Sequence, residues 1–173
     1  VMLKPRTGRA TQEVLDAVAQ ADMLIFGPGS LYTSVVPNLL AKGVVESART
    51  SRAKRVYICN IMTQPGETSG YRASDHLRAI IEHSAPDFID YVIVNTGEAV
   101  PEVAQRYAKD GAYPVQVDRE NLEGRNCQLI GSDIVSRDYY ARHDPTRTAA
   151  LIMDLLVSIL SPTGFLSDTD KGG

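Results

Sequence analysis

The segment "FGPGSLYTS", residues 26–34, follows the apolar run Met23-Leu24-Ile25 and concentrates two glycines, a proline and four hydroxyl side chains. Gly29 can adopt a positive φ and lets the backbone approach a ligand closely, while Pro28 stiffens the turn. Backbone N–H groups of Ser30 and Leu31 then become available. With the hydroxyls of Ser30, Thr33 and Ser34 at the start of a following helix, they could meet a phosphate at the positive helix end. The competing reading is a tight strand-to-helix turn whose hydroxyls cap the helix, and a short glycine motif alone does not decide between the two.

Two other segments carry chemistry. "NIMTQPGETSGYRASDH", residues 60–76, is a long polar connection that opens on Asn60 and contains a Pro65-Gly66 turn, with Glu67 as acceptor and Thr68 as hydroxyl. At its end Asp75 suits the first turn of a helix, where a carboxylate complements the dipole. His76 is either a ligand contact or general base, or a structural histidine, and His83 complements the far end of that helix. "RHDPTRTAA" surrounds another helix start with His143, Asp144 and Arg147. An arginine there opposes the dipole, so it calls for an external phosphate or carboxylate, or a neighbouring acid. Asn95-Thr96-Gly97 ends a further apolar run, and Tyr107 is either core or a stacking platform.

Several chemistries find no pattern. No Ser-His-Asp order, paired-carboxylate spacing or metal-ligand cluster stands out, so no metal site is expected. A net charge of −3, from 18 basic and 21 acidic residues without a basic block, argues against nucleic-acid binding. Cys59 and Cys127 suit neither metal spacing nor a disulfide framework and are expected reduced and buried. No apolar stretch reaches ~20 residues and "VMLKPRTG" lacks a secretory apolar core, so membrane insertion is not expected and a cytoplasmic location is.

These residues need elements to position them. Apolar spacing predicts a helix over 10–20, a strand over 22–26 and a helix over 35–41, with Ser34 as N-cap and Pro37 in the first turn. A short helix over 44–50, a strand over 55–61, a helix over 74–84 and a strand over 91–95 follow. A helix from Pro101 to 110 closes at Gly111, "YPVQVD" reads as a strand, and "CQLIGSDIV" as a further short one. A last helix, Pro145 to Leu160 with Asp144 as N-cap, is apolar nearly all round from Leu151, so it is buried or shared with a neighbour; homo-oligomerisation is the expectation. Residues 161–173 read as a disordered tail. Apolar strands alternating with helices predict one α/β domain over 1–160: a mostly parallel sheet with helices on both faces, Rossmann-like and three-layered. Loops following the strands share one rim, where such sheets bind ligands.

"ADMLIFGPGSLYTSVVPNLL", "CNIMTQPGETSGYRASDH" and "RHDPTR", in that order, resemble the CofD/YvcK-like family over about residues 1–160. The resemblance is closer to the gluconeogenesis-factor branch, whose members bind a UDP-sugar and support cell-shape control; the CofD branch transfers a phospholactyl group in coenzyme F420 assembly. The family's glycine-rich N-terminal turn, of the form "GGGTG", does not occur here, so the chain looks like the later part of a longer protein. By position the resemblance implies Tyr107 and Arg147 as nucleotide-sugar contacts, and Gly27, Gly29, Ser30 and Thr33 as its second glycine loop. Leu31, Asn60 and Asn95 complete the expected ligand-binding set. A non-covalent UDP-sugar ligand is therefore the first expectation, without necessary chemistry. The alternatives are a transferase, in which Asn60, Asp75 or His76 positions a nucleophile or a Mg²⁺, and a non-catalytic interaction module.

Overall fold

The structure, a computed structural model, describes residues 1–2, 4, 8–122 and 126–161. The expected tail falls almost wholly outside the described residues. Four strands, β1 (Met23–Phe26), β2 (Lys54–Ile58), β3 (Tyr91–Asn95) and β4 (Gln128–Ser132), form one sheet in the order β1-β2-β3-β4. Every pairing is parallel, with Ile25 beside Val56, Ile58 beside Ile93, and Val94 beside Gly131. The α/β fold expected from alternating apolar strands and helices is the fold observed.

Sequential strand order has a geometric consequence. Right-handed crossovers between successive neighbours all return over the same face. That face holds the main core, in which Leu31, Val36, Leu39, Leu77, Ile80, Phe88 and Leu122 pack against Tyr57, Val92 and Val94. It collects α1 (Gln12–Gln20), α2 (Val36–Leu39), α3 (Val44–Thr50), α4 (Ala73–Glu82) and α6 (Arg119–Leu122). The other face is covered by α7 (Pro145–Leu160), through Leu151, Ile152, Leu155 and Ile159 against Val56, Ile58, Ile93 and Ile134. Asp144 caps α7 by accepting from the Arg147 N–H at 2.9 Å, the cap expected from the sequence.

Four expectations change. The helix after β1 begins at Leu31 as a π-turn over Leu31–Val35 that runs into α2, and Ser34 lies inside it instead of capping it. Both Ser34 and Val35 donate to the Ser30 carbonyl. Because Pro37 has no N–H and its ring crowds the preceding turn, the chain widens just ahead of it. β2 stops at Ile58: Cys59 still donates to the Ile93 carbonyl, but the chain then turns away to carry Asn60. "YPVQVD" is not a sheet strand. Pro114 supplies no donor, and the segment runs along the post-β2 loop through Val115 N–H to the Ile61 carbonyl and isolated pairings of Pro114 with Met62 and Gln116 with Arg72.

The last change concerns α7. Its outward residues Met153, Val157 and Leu160 stay more than half exposed, so it is not the deeply buried helix its composition implied. Cys127 is half-buried, whereas Cys59 is buried and its thiol is pushed up to about 12 by burial. Between β3 and β4 the helix α5 (Pro101–Lys109) does not cover the sheet. It packs at the carboxyl edge, Val103 and Tyr107 joining Ile61, Met62, Val135 and Ala141 in a small separate core.

Candidate functional site

That small core supports a cavity. Beside it, at the carboxyl ends of β1 and β2, lies an open cavity of about 500 Å³ lined by Pro28, Gly29, Ser30, Asn60, Ile61, Met62, Thr63, Gln64, Tyr107, Ala141, Arg142 and His143. Four segments remote in sequence meet there, as expected for the rim of a parallel sheet. Of the predicted ligand-binding residues it gathers Gly29, Ser30, Asn60 and Tyr107.

The first segment is fixed by contact. Gly27 has φ of +94°, and a Cβ there would lie 2.9 Å from the Ile58 carbonyl oxygen, so the turn requires glycine on two counts. The Gly27–Pro28 peptide is cis. The positive φ expected at Gly29 falls at Gly27 instead; a Cβ on Gly29 would come 3.2 Å from the Ser34 Cβ, so what glycine supplies there is close packing of the loop against the π-turn. The second segment is held by its own turn: Gln64 N–H donates to Thr68 Oγ1 at 2.9 Å, and the Gln64 carbonyl accepts from Thr68 N–H at 2.8 Å. Thr63, also on the cavity, exchanges backbone and side-chain hydrogen bonds with Tyr113.

The third segment ends at His143. Its Nε2 lies 3.0 Å from the Cys59 carbonyl oxygen, which can only accept, so Nε2 carries the hydrogen. Burial holds the His143 pKa below the ordinary imidazole value, favouring the neutral ring. Arg142 precedes it, with its guanidinium 4.6 Å from the Tyr140 ring centroid and no carboxylate partner among the described residues.

Several predicted site residues have other work. Arg147 does not line the cavity. Its guanidinium donates to the carbonyls of Asp133 and Val135 and pairs with the carboxylates of Asp133 at 3.1 Å and Asp144 at 3.4 Å. Of the two partners the sequence allowed, an external anion or a neighbouring acid, the structure supplies the second, together with two carbonyls. Asn95 is consumed likewise: its amide donates to the Gly97 carbonyl at 2.7 Å, and its oxygen accepts from Gly97 and Ile134. Leu31 is fully buried in the main core, and Thr33 is exposed away from the cavity lining.

The helix-end cradle changes in the same sense. Tyr32 N–H, one of the first amides of the π-turn, donates to Glu67 Oε1 at 2.9 Å, so the long loop supplies a carboxylate of its own. Asp75 closes a capping box, accepting from Arg72 N–H at 2.9 Å and pairing with Arg78 at 2.8 Å. His76 is fully buried against Tyr71, its Nδ1 bonded to the Arg72 carbonyl at 3.0 Å, and burial lowers its pKa. His83 Nδ1 bonds the Ala79 carbonyl at 2.7 Å. Asp75 and His76 therefore stand apart from the cavity.

The sequence reading singled out His143 only as part of a helix start and missed Gln64 and Arg142 as cavity residues. For Arg142 the available signal was its place in "RHDP", one residue before a histidine already singled out. Gln64 gave none, because its position depends on a turn closed by Thr68. Among the described residues no group of three or more His, Cys, Asp or Glu side chains is placed to hold a metal, and no helix is long and apolar enough to cross a membrane.

Comparison with known proteins supplies independent findings. The chain is 43% identical over 157 residues to a putative gluconeogenesis factor of Thermoanaerobacterium thermosulfurigenes, matching 90% of this chain and 48% of that one. It is 41% identical to the gluconeogenesis factor of Bacillus subtilis, over 90% of this chain and 50% of the other. A crystal structure from Bacillus halodurans, described as a member of the UPF0052 family, superposes with a TM-score of 0.85 at 41% identity, covering 88% of this chain and 49% of its own. The chain thus spans about half the length of the relatives it matches. A family model described as 2-phospho-L-lactate transferase CofD matches residues 1–135, and this places the chain in the CofD family.

Proposed function

We propose that this chain is the nucleotide-sugar-binding portion of a regulatory protein of the gluconeogenesis-factor type, linked to cell-shape control, with a UDP-sugar as ligand. The observation that carries the reading is the cavity where Gly29-Ser30, Asn60, Tyr107 and Arg142 converge from four chain segments. An arginine without a carboxylate partner among the described residues and a close-approach backbone suit a diphosphate, and the Tyr107 ring suits a planar base. Arg142 takes the role that the resemblance assigned to Arg147.

Isothermal calorimetry with UDP-sugars, UDP and ADP tests this. Saturable binding with preference for uridine ligands is expected, and saturation at 100 times the dissociation constant should add ~2.7 kcal/mol of stability. Equal heats for ADP and UDP, or no thermal shift with any uridine ligand, would refute it.

The second reading is a transferase of a phosphate-containing group, favoured by the description of the matching family. Asn60 is the predicted catalytic candidate that lies on the cavity, and a Mg²⁺ belongs to this reading alone. Formation of a phospholactyl product from a nucleoside diphosphate donor would establish it over simple binding.

A further inference from the structure

Three cation–π contacts converge on one loop. The Arg106 guanidinium, from α5, stands over the Tyr139 ring at 3.6 Å from its centroid and 5.9 Å from that of Tyr140, and Arg142 stands over Tyr140 at 4.6 Å. The two tyrosine rings meet edge to face at 4.9 Å. Such contacts occur about once per 70–80 residues, so three that share two adjacent tyrosines form a local construction. Its rings are not core: Tyr139 is 63% exposed and Tyr140 48%.

Backbone bonds set the loop that presents them. Val135 pairs with His143 across an antiparallel bridge, Ser136 N–H donates to the Arg142 carbonyl at 2.7 Å, and Asp144 N–H donates to the Ile134 carbonyl at 2.7 Å. Arg106 Nη2 donates to the Tyr139 carbonyl and so ties α5 to the loop. The surface is ordered before anything docks on it, which lowers the cost of binding.

Its charges are left open to one sign. Neither Arg106 nor Arg142 has a carboxylate within ion-pair distance among the described residues. Arg137 already pairs with Asp133 at 2.6 Å, and Asp138 is turned to its own loop, accepting from Ser136 Oγ at 2.9 Å. A guanidinium over a ring keeps its in-plane N–H groups for a second partner, and their spacing matches a carboxylate. Nucleobases fit less well. Each ring already has an arginine and the other ring against it, and the chain carries a net charge of −3 with no basic block.

We propose that α5 and the loop over 135–143 form a docking surface for a carboxylate-rich segment of a partner protein, with Arg106 as its principal anchor and Tyr139 and Tyr140 as its floor. Arginine and tyrosine are residue types that carry much of the energy at protein interfaces, and a cation–π contact strengthens when a partner excludes water from it. Arg142 borders both this surface and the rim cavity. Arg106 and Tyr139 line no part of that cavity, so they test the surface independently of any nucleotide.

Fluorescence anisotropy on the whole chain tests it, with a fluorescein-labelled peptide of six Glu-Gly repeats, its Lys-Gly counterpart and a labelled strand of twelve thymidines as probes. Saturable binding of the acidic peptide is expected, weakened by ~10-fold or more in Arg106→Gln and in Tyr139→Leu. Arg52→Gln, which removes a partner of Asp22 ahead of β1, should leave it unchanged. Arg106→Lys should not restore it, because an ammonium lacks the planar fork. Tyr139 is exposed, so Tyr139→Leu should keep the wild-type thermal midpoint even where Arg106→Gln loosens the loop. Absence of saturable binding by the acidic peptide, equal binding of the basic one, affinity retained in Arg106→Gln or in Tyr139→Leu, or full recovery in Arg106→Lys overturns the proposal. Binding of the thymidine strand that is at least as tight, and lost in the same variants, overturns it as well and assigns the surface to nucleic acid.

Discussion

At the β3–β4 end of the carboxyl edge, Asn95 bonds Gly97 and Ile134, and Arg147 meets the carbonyls of Asp133 and Val135 and the carboxylates of Asp133 and Asp144, where Asp133 Oδ1 has the ion pair but no hydrogen bond among the described residues. At the β1–β2 end, Asn60 and Gln64 each leave a buried side-chain oxygen without a hydrogen bond among the described residues, Arg142 has no carboxylate partner there, and all three residues border a cavity. The residue types are nearly the same, an amide and an arginine beside a strand terminus. What differs is who supplies the partner. Where the chain supplies it, the group belongs to the fold; where it does not, at the edge of a cavity, the partner has to come from water or a ligand.

This contrast predicts opposite phenotypes for the two ends, and the largest effect belongs to the satisfied end. A Cβ on Gly97 would collide with the Asp133 carboxylate and fall 3.1 Å from Val135 Cγ1. Gly97→Ala should therefore cost about 3 kcal/mol in chemical denaturation. Retention of wild-type stability would show that the knot yields freely and is not a structural clamp. Arg147→Met should follow, at about 2 kcal/mol, with nucleotide-sugar affinity by calorimetry unchanged, since its partners are all internal and the side chain is partly exposed. A selective loss of affinity would return Arg147 to the site.

The open end should behave the other way. Arg142→Ala should weaken nucleotide-sugar binding by ~10–100-fold, or roughly 1.5–3 kcal/mol, and move the thermal midpoint little. A collapse of stability with normal residual binding would erase the contrast.

The smallest effect is pH-dependent and divides between the ends of the long loop. Burial lowers the pKa of both His76 and His143, so the unfolded chain binds more protons than the folded chain as pH falls. Stability from this source is complete above about pH 6.5, the ordinary imidazole value, and declines as pH drops toward the depressed folded values. Denaturation midpoints measured down that range should fall, and His76→Gln should flatten part of the slope. A flat wild-type profile would mean that neither ring is held neutral by burial.

How far the sequence reached follows the same division. Strand β3, helices α5 and α7, the Asp144 cap and the parallel arrangement all rest on local periodicity or capping chemistry, and these were legible. Gly29, Ser30, Asn60 and Tyr107 were legible as residues of one rim because strand ends and one family resemblance point to them, and they line one cavity. Arg147 misled because helix-end electrostatics show that an arginine needs an acid but not where the acid lies; Asp133, fourteen residues earlier, became visible only when β4 paired with β3. Ser34 misled because Pro37 shifts the helix start, a backbone effect without a composition signal. Residues 113–118 misled because β-propensity reports an extended chain, not which neighbour it pairs with.

Among the described residues a single helix covers the second face, and this has a kinetic corollary. Helix α7 is tied to the sheet chiefly through Leu151, Ile152, Leu155 and Ile159, and its last turn leaves Val157 and Leu160 in water. Amides there should trade hydrogen for deuterium well before those of β2 and β3, so that this layer loosens and reseats while the opposite layer stays closed. A nucleotide-sugar held at the β1–β2 rim would then slow exchange in the loops around it without quieting that helix.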